Sequence, residues 1–215
     1  GLAFGALEKP QLMLLERHIR LQAVAYCEAV TIHGVRVSLH PAGHVLGSAQ
    51  VRLEHAGRVW VASGDYKLDP DPTCAPFEPL RCDVFITESP FGLPIYRWPS
   101  GDDLFADMSA WWRANADAGR ASVVYAYAFG KAQRVLAGVD HSVGPLVCHG
   151  AVQVLNDAYR AAGVALPATH RVTDDGLAPA DLRRALVVAP PSAAGTPWLR
   201  RFGDQADAFA SGWMQ

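Results

Sequence analysis

The sequence has no CxxC pair and no cysteine-rich stretch; Cys27, Cys74, Cys82 and Cys148 are scattered through 215 residues. That scatter excludes a disulfide framework and a zinc ribbon, and a reducing cytoplasm is the simplest home for such a chain. No apolar run approaches the roughly 20 residues that a membrane helix needs, so no bilayer-spanning helix is expected. Gly1-Leu2-Ala3-Phe4 lacks the basic segment and apolar core of a signal peptide. An initiator Met is missing as well, which leaves a processed chain or a piece of a longer protein as the two readings. Neither sign of charge is in excess: 19 Lys and Arg face 21 Asp and Glu, a formal net charge of −2. Bulk electrostatics therefore give no nucleic-acid footprint. Arg supplies most of the positive charge, however, and suits bidentate phosphate contacts in a local cleft. Internal repeats and low-complexity tracts are absent.

What is present is ample apolar material, 50% of residues with 9% aromatic, enough for one large domain or two small ones and not for a disordered chain. Pro10 followed by apolar residues at helical spacing predicts a short helix over 10–18. Val30–Ile32 and Val35–Leu39 around His33-Gly34 predict a hairpin. Gln50–Glu54 and Val59–Ser63, joined through Ala56-Gly57, predict another. Val84–Thr87 reads as a buried strand. A Pro-rich, aromatic connector, PFGLPIYRWP, occupies 90–99. Beyond it strands and helices alternate. Ser100 with Asp103 forms a capping box that opens a helix ending near Gly119. Strands are expected at Ala121–Ala128, Pro145–Cys148 and Ala185–Ala189. Helices are expected at Gly130–Ala137, Ala151–Ala162, Leu177–Arg184 and Thr196–Phe202. This alternation predicts an α/β fold with a mostly parallel sheet, and a boundary between two regions near 93–99.

The chemistry concentrates in three places. In LHPAGHVLGS (39–48), His40 and His44 flank a Gly-containing turn just before a strand. A His there is either an ordinary loop residue or a ligand. Strand Val59–Ser63 then runs into Gly64-Asp65, placing Asp65 at a strand's carboxyl edge, where α/β sites collect. Its other reading is a turn cap. Imidazole nitrogen and carboxylate oxygen both suit Zn²⁺ and similar ions, and an Asp can bridge two of them. Finally, Glu88 ends the apolar run in ITESPFG, a position better explained by a carboxylate aimed into a site than by solvation.

AGHVLGSA, then SGDYK, then ITESPFG, in that order and spacing, resembles the metallo-β-lactamase superfamily and, within it, the β-CASP nucleases. GLPIYRWP most resembles the bacterial ligase-associated DNA exonucleases, often labelled mRNA 3′-end processing factors. The resemblance implies a partial αββα metallo-β-lactamase sandwich over 1–96, followed over 97–215 by a β-CASP α/β domain with a mostly parallel sheet. It implies a DNA-repair exonuclease that hydrolyses phosphodiester bonds with two divalent ions, zinc or manganese. It also implies DNA rather than RNA as partner and a functional link to a DNA ligase. His44 matches the isolated metal-binding His, and Asp65 the Asp that bridges the two metals. Glu88 matches an acidic residue close to the active centre, whereas His40 matches no ligand position. The superfamily signature HxHxDH is missing, and no two histidines are separated by one residue. The later β-CASP histidines are also missing, and 208–215 resembles a strand cut off in mid-domain. The chain is thus expected to be a fragment that binds metal weakly and has no nuclease activity alone.

Lys131 and Arg134 open the helix after Gly130, where backbone amides and cations make a phosphate site. Two solvated cations on a surface helix is the other reading. Ser192, in the small-residue run 190–195, would let a nucleic-acid backbone approach closely. Arg200-Arg201 fits either a backbone contact or a helix cap. Trp98 is the candidate for base stacking. Of Trp111 and Trp112, one is expected in the core. His149 reads as a satisfied strand-end residue. Two further function classes are open: a nucleic-acid-binding paralogue without catalysis, and a small-molecule metallo-hydrolase.

Overall fold

The computed structural model describes residues 22–89, 92, 100–172 and 176–210, and the expected helix over 10–18 and Trp98 lie outside them. Two compact units divide between residues 96 and 97.

The first unit is a five-stranded sheet in the order β1-β2-β3-β4-β5, comprising Ala29–Ile32, Val35–Pro41, Ala49–His55, Arg58–Ala62 and Val84–Ile86. The first four strands run antiparallel, and β5 pairs parallel to β4. Both expected hairpins form. Their two-residue turns, His33-Gly34 and Ala56-Gly57, have positive φ at both positions, the twist that matches flanking strands. The two faces of this sheet differ. On one, Ser38, Gln50 and Val61 are buried beneath the irregular segment between β4 and β5, and the Gln50 amide donates to the carbonyls of Pro41 and Glu78 at 2.9 and 2.7 Å. On the other, the register places Val37 against Leu53 and Leu53 against Trp60. There, among the described residues, Ile32, Trp60 and Ile86 are exposed at 53%, 45% and 53%.

The second unit is an all-parallel sheet in the order β10-β6-β9-β7-β8. Its strands are β6 Ala121–Tyr125, β7 Leu146–Cys148, β8 His170–Arg171, β9 Leu186–Ala189 and β10 Gln205–Phe209. The helices are α1 Gly101–Asp117, α2 Lys131–Gly138, α3 Gly150–Ala161 and the short α4 Pro179–Leu182, with 3₁₀ turns at Pro191–Ala193 and Pro197–Phe202. Strand residues alternate between two cores, as the period of two requires. Val124, Leu186 and Val188 pack with Trp112, Leu136 and Val152 of α1, α2 and α3. Val123, Tyr125 and Val187 pack with Leu199 and Phe202 on the opposite face. Sheets covered on both faces read as continuous apolar runs, as β6 and β9 do.

Several boundaries differ from the sequence expectation, each for a local reason. Helix α4 cannot start at Leu177, because Pro179 forces Ala178 into an extended conformation (ψ 153°). Pro197 does the same to Thr196, and the turn from Pro197 to Phe202 is 3₁₀ rather than α-helical. Strand β6 stops at Tyr125, and Ala132 N–H then closes on the Tyr127 carbonyl at 3.1 Å, making the turn into α2. Strand β10 precedes the stretch 208–215 and runs into it only as far as Phe209, its polar Gln205 and Asp207 interrupting the apolar pattern; 211–215 lie outside the described residues. Half of the capping box forms: Asp103 N–H donates to Ser100 Oγ at 3.2 Å, while the Asp103 carboxylate accepts from the Ser100 hydroxyl at 2.7 Å. Trp112, not Trp111, is the fully buried indole, and its Nε1 donates to the Arg184 carbonyl at 2.9 Å.

Trp112→Ala should lower stability by about 3–5 kcal/mol, the usual cost of emptying a large aromatic site. Trp111→Ala, on the half-buried neighbour, should cost clearly less. Urea midpoints of the two variants check the difference.

Candidate functional site

The first unit brings two of the expected residues together. The loop after β2 is folded on itself: Ala42 N–H donates to the Ser48 carbonyl, and the Ser48 hydroxyl accepts from His44 and Val45 amides at 3.1 and 3.2 Å. The loop is then clamped to the segment after β4 by Lys67 N–H donating to the Ala42 carbonyl at 3.1 Å. Gly43, at φ +71°, sits in this seam, and a Cβ there would collide with the Lys67 carbonyl and meet the Phe77 amide at 2.9 Å. The result is His44 Nε2 lying 3.8 Å from Asp65 Oδ2, with both side chains open to solvent at 42% and 61%.

Nitrogen and oxygen ligands of one ion, each at 2.0–2.2 Å, stand about 3.0–3.5 Å apart. The pair is therefore a few tenths of an ångström from a two-ligand arrangement, and its donors fit a divalent ion. Glu88 comes just after β5 at the same sheet end as Asp65, since Ala62 pairs with Ile86 and Ser63 N–H donates to the Ile86 carbonyl at 2.9 Å. It is exposed, and among the described residues its side chain has no partner.

The Lys67 side chain ends in an ion pair with Asp71 at 2.6 Å. Asp71 also accepts from Thr73 N–H and Oγ1 at 2.9 and 2.6 Å. Burial by itself would raise this carboxyl, but the Lys67 and Thr73 hydrogen bonds and the Lys67 charge outweigh it and hold Asp71 below the usual range. This pins the segment that carries Asp65.

A separate cluster was not foreseen. Cys27, His40 and Glu78 bring one donor atom each within 4.8 Å of the others. His40 was legible only as the residue beside a ligand, and no short motif links positions this far apart in sequence.

In the second unit Lys131 and Ser192 follow the carboxyl ends of β6 and β9. The paths out of β6 and β9 go to opposite faces: α2 buries Ala132, Val135 and Leu136 in one core, while the turns after β9 bury Ala193, Leu199 and Phe202 in the other. Because β6 and β9 are neighbours, with Tyr125 beside Ala189, the chain parts between them. That crevice is where open α/β sheets bind ligands. Lys131 opens α2 on one side of it, with Nζ 6.0 Å from the Tyr127 ring centroid. Exposed Ser192 lies on the other side.

Gly130, at φ +84°, makes the turn, and its N–H donates to Gln133 Oε1 at 2.8 Å. Gln133 is anchored in turn by the Ala128 carbonyl and Asn156 Oδ1, at 3.0 and 2.9 Å. Arg134 does not reach out in the same way. Its guanidinium lies over the Phe105 ring at 5.8 Å, close to Gly101. Its packing there serves the join of α1 to α2.

His149 is satisfied, as expected, though as the N-cap of α3. It accepts from Ala151 N–H through Nδ1 at 3.2 Å and meets the Trp198 ring edge-on at 4.9 Å. Desolvation holds it below the ordinary histidine value, which keeps Nδ1 free to accept. Burial pushes the Cys148 thiol up to about 12, so that sulfur is inert.

No protein-family model matches the chain. It is similar to a "Probable DNA ligase" of Opitutus terrae, 30% identical over 178 residues, covering 82% of this chain and 17% of that protein. It is also similar to "Endoribonuclease YSH1" of Candida glabrata, 33% identical over 81 residues, covering 37% of the chain and 10% of the relative. "Cleavage and polyadenylation specificity factor 73" of Drosophila melanogaster is 28% identical over 123 residues, 56% of the chain and 18% of that protein. The chain thus spans less than a fifth of the length of these curated relatives.

Gly43→Ala should destabilise the first unit by more than about 1 kcal/mol, since a clash with backbone adds to the positive-φ penalty. Amide exchange at Lys67 should rise with it. For Asp71, the depressed folded value means its stabilisation is present above the unfolded carboxylate value, about 3.9, and is lost as pH falls through the folded one. Asp71→Asn should therefore be less stable than the parent at neutral pH, and the gap should close in acid, read from urea midpoints against pH.

Proposed function

We propose that the chain is a segment of a metal-dependent nuclease of the β-CASP branch of the metallo-β-lactamase superfamily, hydrolysing phosphodiester bonds in DNA. In this reading residues 1–96 belong to the metallo-β-lactamase part and 97–215 to the β-CASP part. The observation that carries it is the approach of His44 to Asp65, two residues singled out by motif and held 3.8 Å apart by a seam of backbone hydrogen bonds. The similarity to two RNA-processing proteins and to a DNA ligase supports a nucleic-acid substrate. The ligase similarity, with the longest match of the three, favours DNA and a repair role.

His44 and Asp65 would hold divalent ions, zinc or manganese, which supply positive charge to a phosphoryl oxygen and to the attacking water when bound. Two donors do not complete a dinuclear site, so the remaining ligands belong to parts of the protein beyond this chain. Glu88, exposed at the same sheet end, would orient a ligand or accept its proton. Lys131 and Ser192, on the two sides of the β6–β9 crevice, would take phosphates of the strand. Arg134 would contribute through its hold on α1.

The test uses the complete gene product with end-labelled single- and double-stranded oligonucleotides. Asp65→Ala should lower kcat/KM at least about a hundredfold, the upper end of what even an outer partner of a metal ligand costs. Lys131→Ala should weaken DNA binding at all sequences and reduce the salt slope by about 1. The 215-residue chain alone should cleave neither substrate. DNA binding by the complete protein without cleavage would overturn the nuclease reading in favour of a binding paralogue. Preferential cleavage of RNA would overturn the choice of substrate.

A further inference from the structure

The Cys27, His40 and Glu78 side chains come from three separate stretches: the turn before β1, strand β2, and the irregular segment between β4 and β5. Each is fixed by its backbone. Cys27 N–H donates to the Leu39 carbonyl at 2.8 Å, and Glu78 N–H to the Pro41 carbonyl at 3.1 Å. The Glu78 carbonyl accepts from fully buried Gln50 at 2.7 Å.

The donor groups lie in mutual contact, with the two Glu78 oxygens turned to different neighbours. Cys27 Sγ lies 3.7 Å from His40 Nδ1 and 3.6 Å from Glu78 Oε2, and His40 Nδ1 lies 3.1 Å from Glu78 Oε1. A tetrahedral zinc ion with sulfur at about 2.3 Å and nitrogen and oxygen near 2.0–2.2 Å sets its ligands about 3.5 Å apart for each sulfur pair and about 3.3 Å apart for nitrogen and oxygen. Each separation taken pairwise falls within a few tenths of an ångström of that spacing, and with a single Glu78 oxygen as ligand the three donor atoms lie within 4.8 Å of one another. The other ring nitrogen, His40 Nε2, meets Ser38 Oγ at 3.1 Å, the kind of second hydrogen bond that fixes a ligating imidazole.

The backbone at Cys27 points the same way. Cys27 sits at φ +64°, in the left-handed region where glycine is the easy choice. A cysteine at such a position puts its sulfur within 3.7 Å of both His40 and Glu78, at the cost of local strain.

We propose that Cys27, His40 and Glu78 form a zinc site that staples the turn before β1 to β2 and to the segment entering β5, leaving its fourth position to solvent. The donor set of thiolate, imidazole and carboxylate suits zinc better than the hard ions magnesium and calcium. It shares no residue with the His44–Asp65 pair and does not depend on the nuclease reading. The expectation of weak metal binding came from His44 and Asp65 alone, and this cluster revises it.

The test uses the full 215-residue chain, demetallated and then titrated with cobalt(II) as a spectroscopic stand-in and with zinc against a chromophoric chelator. One equivalent of cobalt should give a thiolate-to-cobalt charge-transfer band, bleached by zinc. Cys27→Ser and His40→Gln should abolish the band and weaken zinc at least a hundredfold. Asp65→Ala and Cys74→Ser should leave both unchanged. As a control for folding, Cys27→Gly relieves the left-handed residue, so its metal-free form should melt no lower than the parent while losing the rise in Tm that zinc gives the parent. No thiolate band in the parent chain, or a band that survives Cys27→Ser, would overturn the site and leave the trio as a hydrogen-bond network.

Discussion

The first unit turns on one contact, the closure of Lys67 N–H onto the Ala42 carbonyl beside Gly43. Only a residue without a Cβ lets the two backbones come so close, and everything chemical in this unit is placed by that approach. It carries His44 to Asp65 on one side. On the other, the same strand end holds Glu78 through the Pro41 carbonyl, and Glu78 in turn reaches His40 and Cys27. The Lys67–Asp71 ion pair locks the far end of the segment. An irregular stretch with no strand or helix of its own is thus tied to the sheet at Lys67, Glu78 and Asp83, whose amides donate to the Ala42, Pro41 and Val59 carbonyls.

The second unit solves a different problem with different means. Its sheet is parallel and covered on both faces, so no polar side chain can act from within it. The chain leaves the carboxyl ends of neighbouring β6 and β9 toward opposite faces, the kind of place where open α/β sheets bind ligands. Gln133 shows how much buried polarity supports that rim. It is fully buried, yet it spans from the Gly130 amide to Asn156 through hydrogen bonds that fix the turn bearing Lys131. The cation is aimed by a residue that never sees solvent.

What the sequence made legible was whatever is local. Hairpin turns at His33-Gly34 and Ala56-Gly57, the Ser100 cap and the apolar runs of β6 and β9 each announce themselves within a few residues. The pairing of His44 with Asp65 was legible only through the order of motifs, since neither residue's surroundings name the other. Cys27, His40 and Glu78 were not legible together, because their proximity is made by strand register and by a loop crossing, neither of which leaves a periodic trace. In the sequence Arg134 reads, with Lys131, as part of a phosphate site or as a solvated cation. The helix spacing that turns it toward Phe105 is a matter of which face α2 buries, and Lys131 and Arg134 fall at different margins of that face.

The strand order of the second unit also sets a timetable. Strand β6 is its first strand and is buried at every position, yet both of its neighbours, β9 and β10, are the last two to be made. During synthesis from the N-terminus, β7 and β8 can pair with each other while β6 has no ladder to join. Its apolar backbone edge therefore stays open until nearly the whole unit has left the ribosome, which makes folding slow, non-local and exposed to mispairing. The order that sends the chain to opposite faces after β6 and β9 is the same order that postpones their pairing to the end.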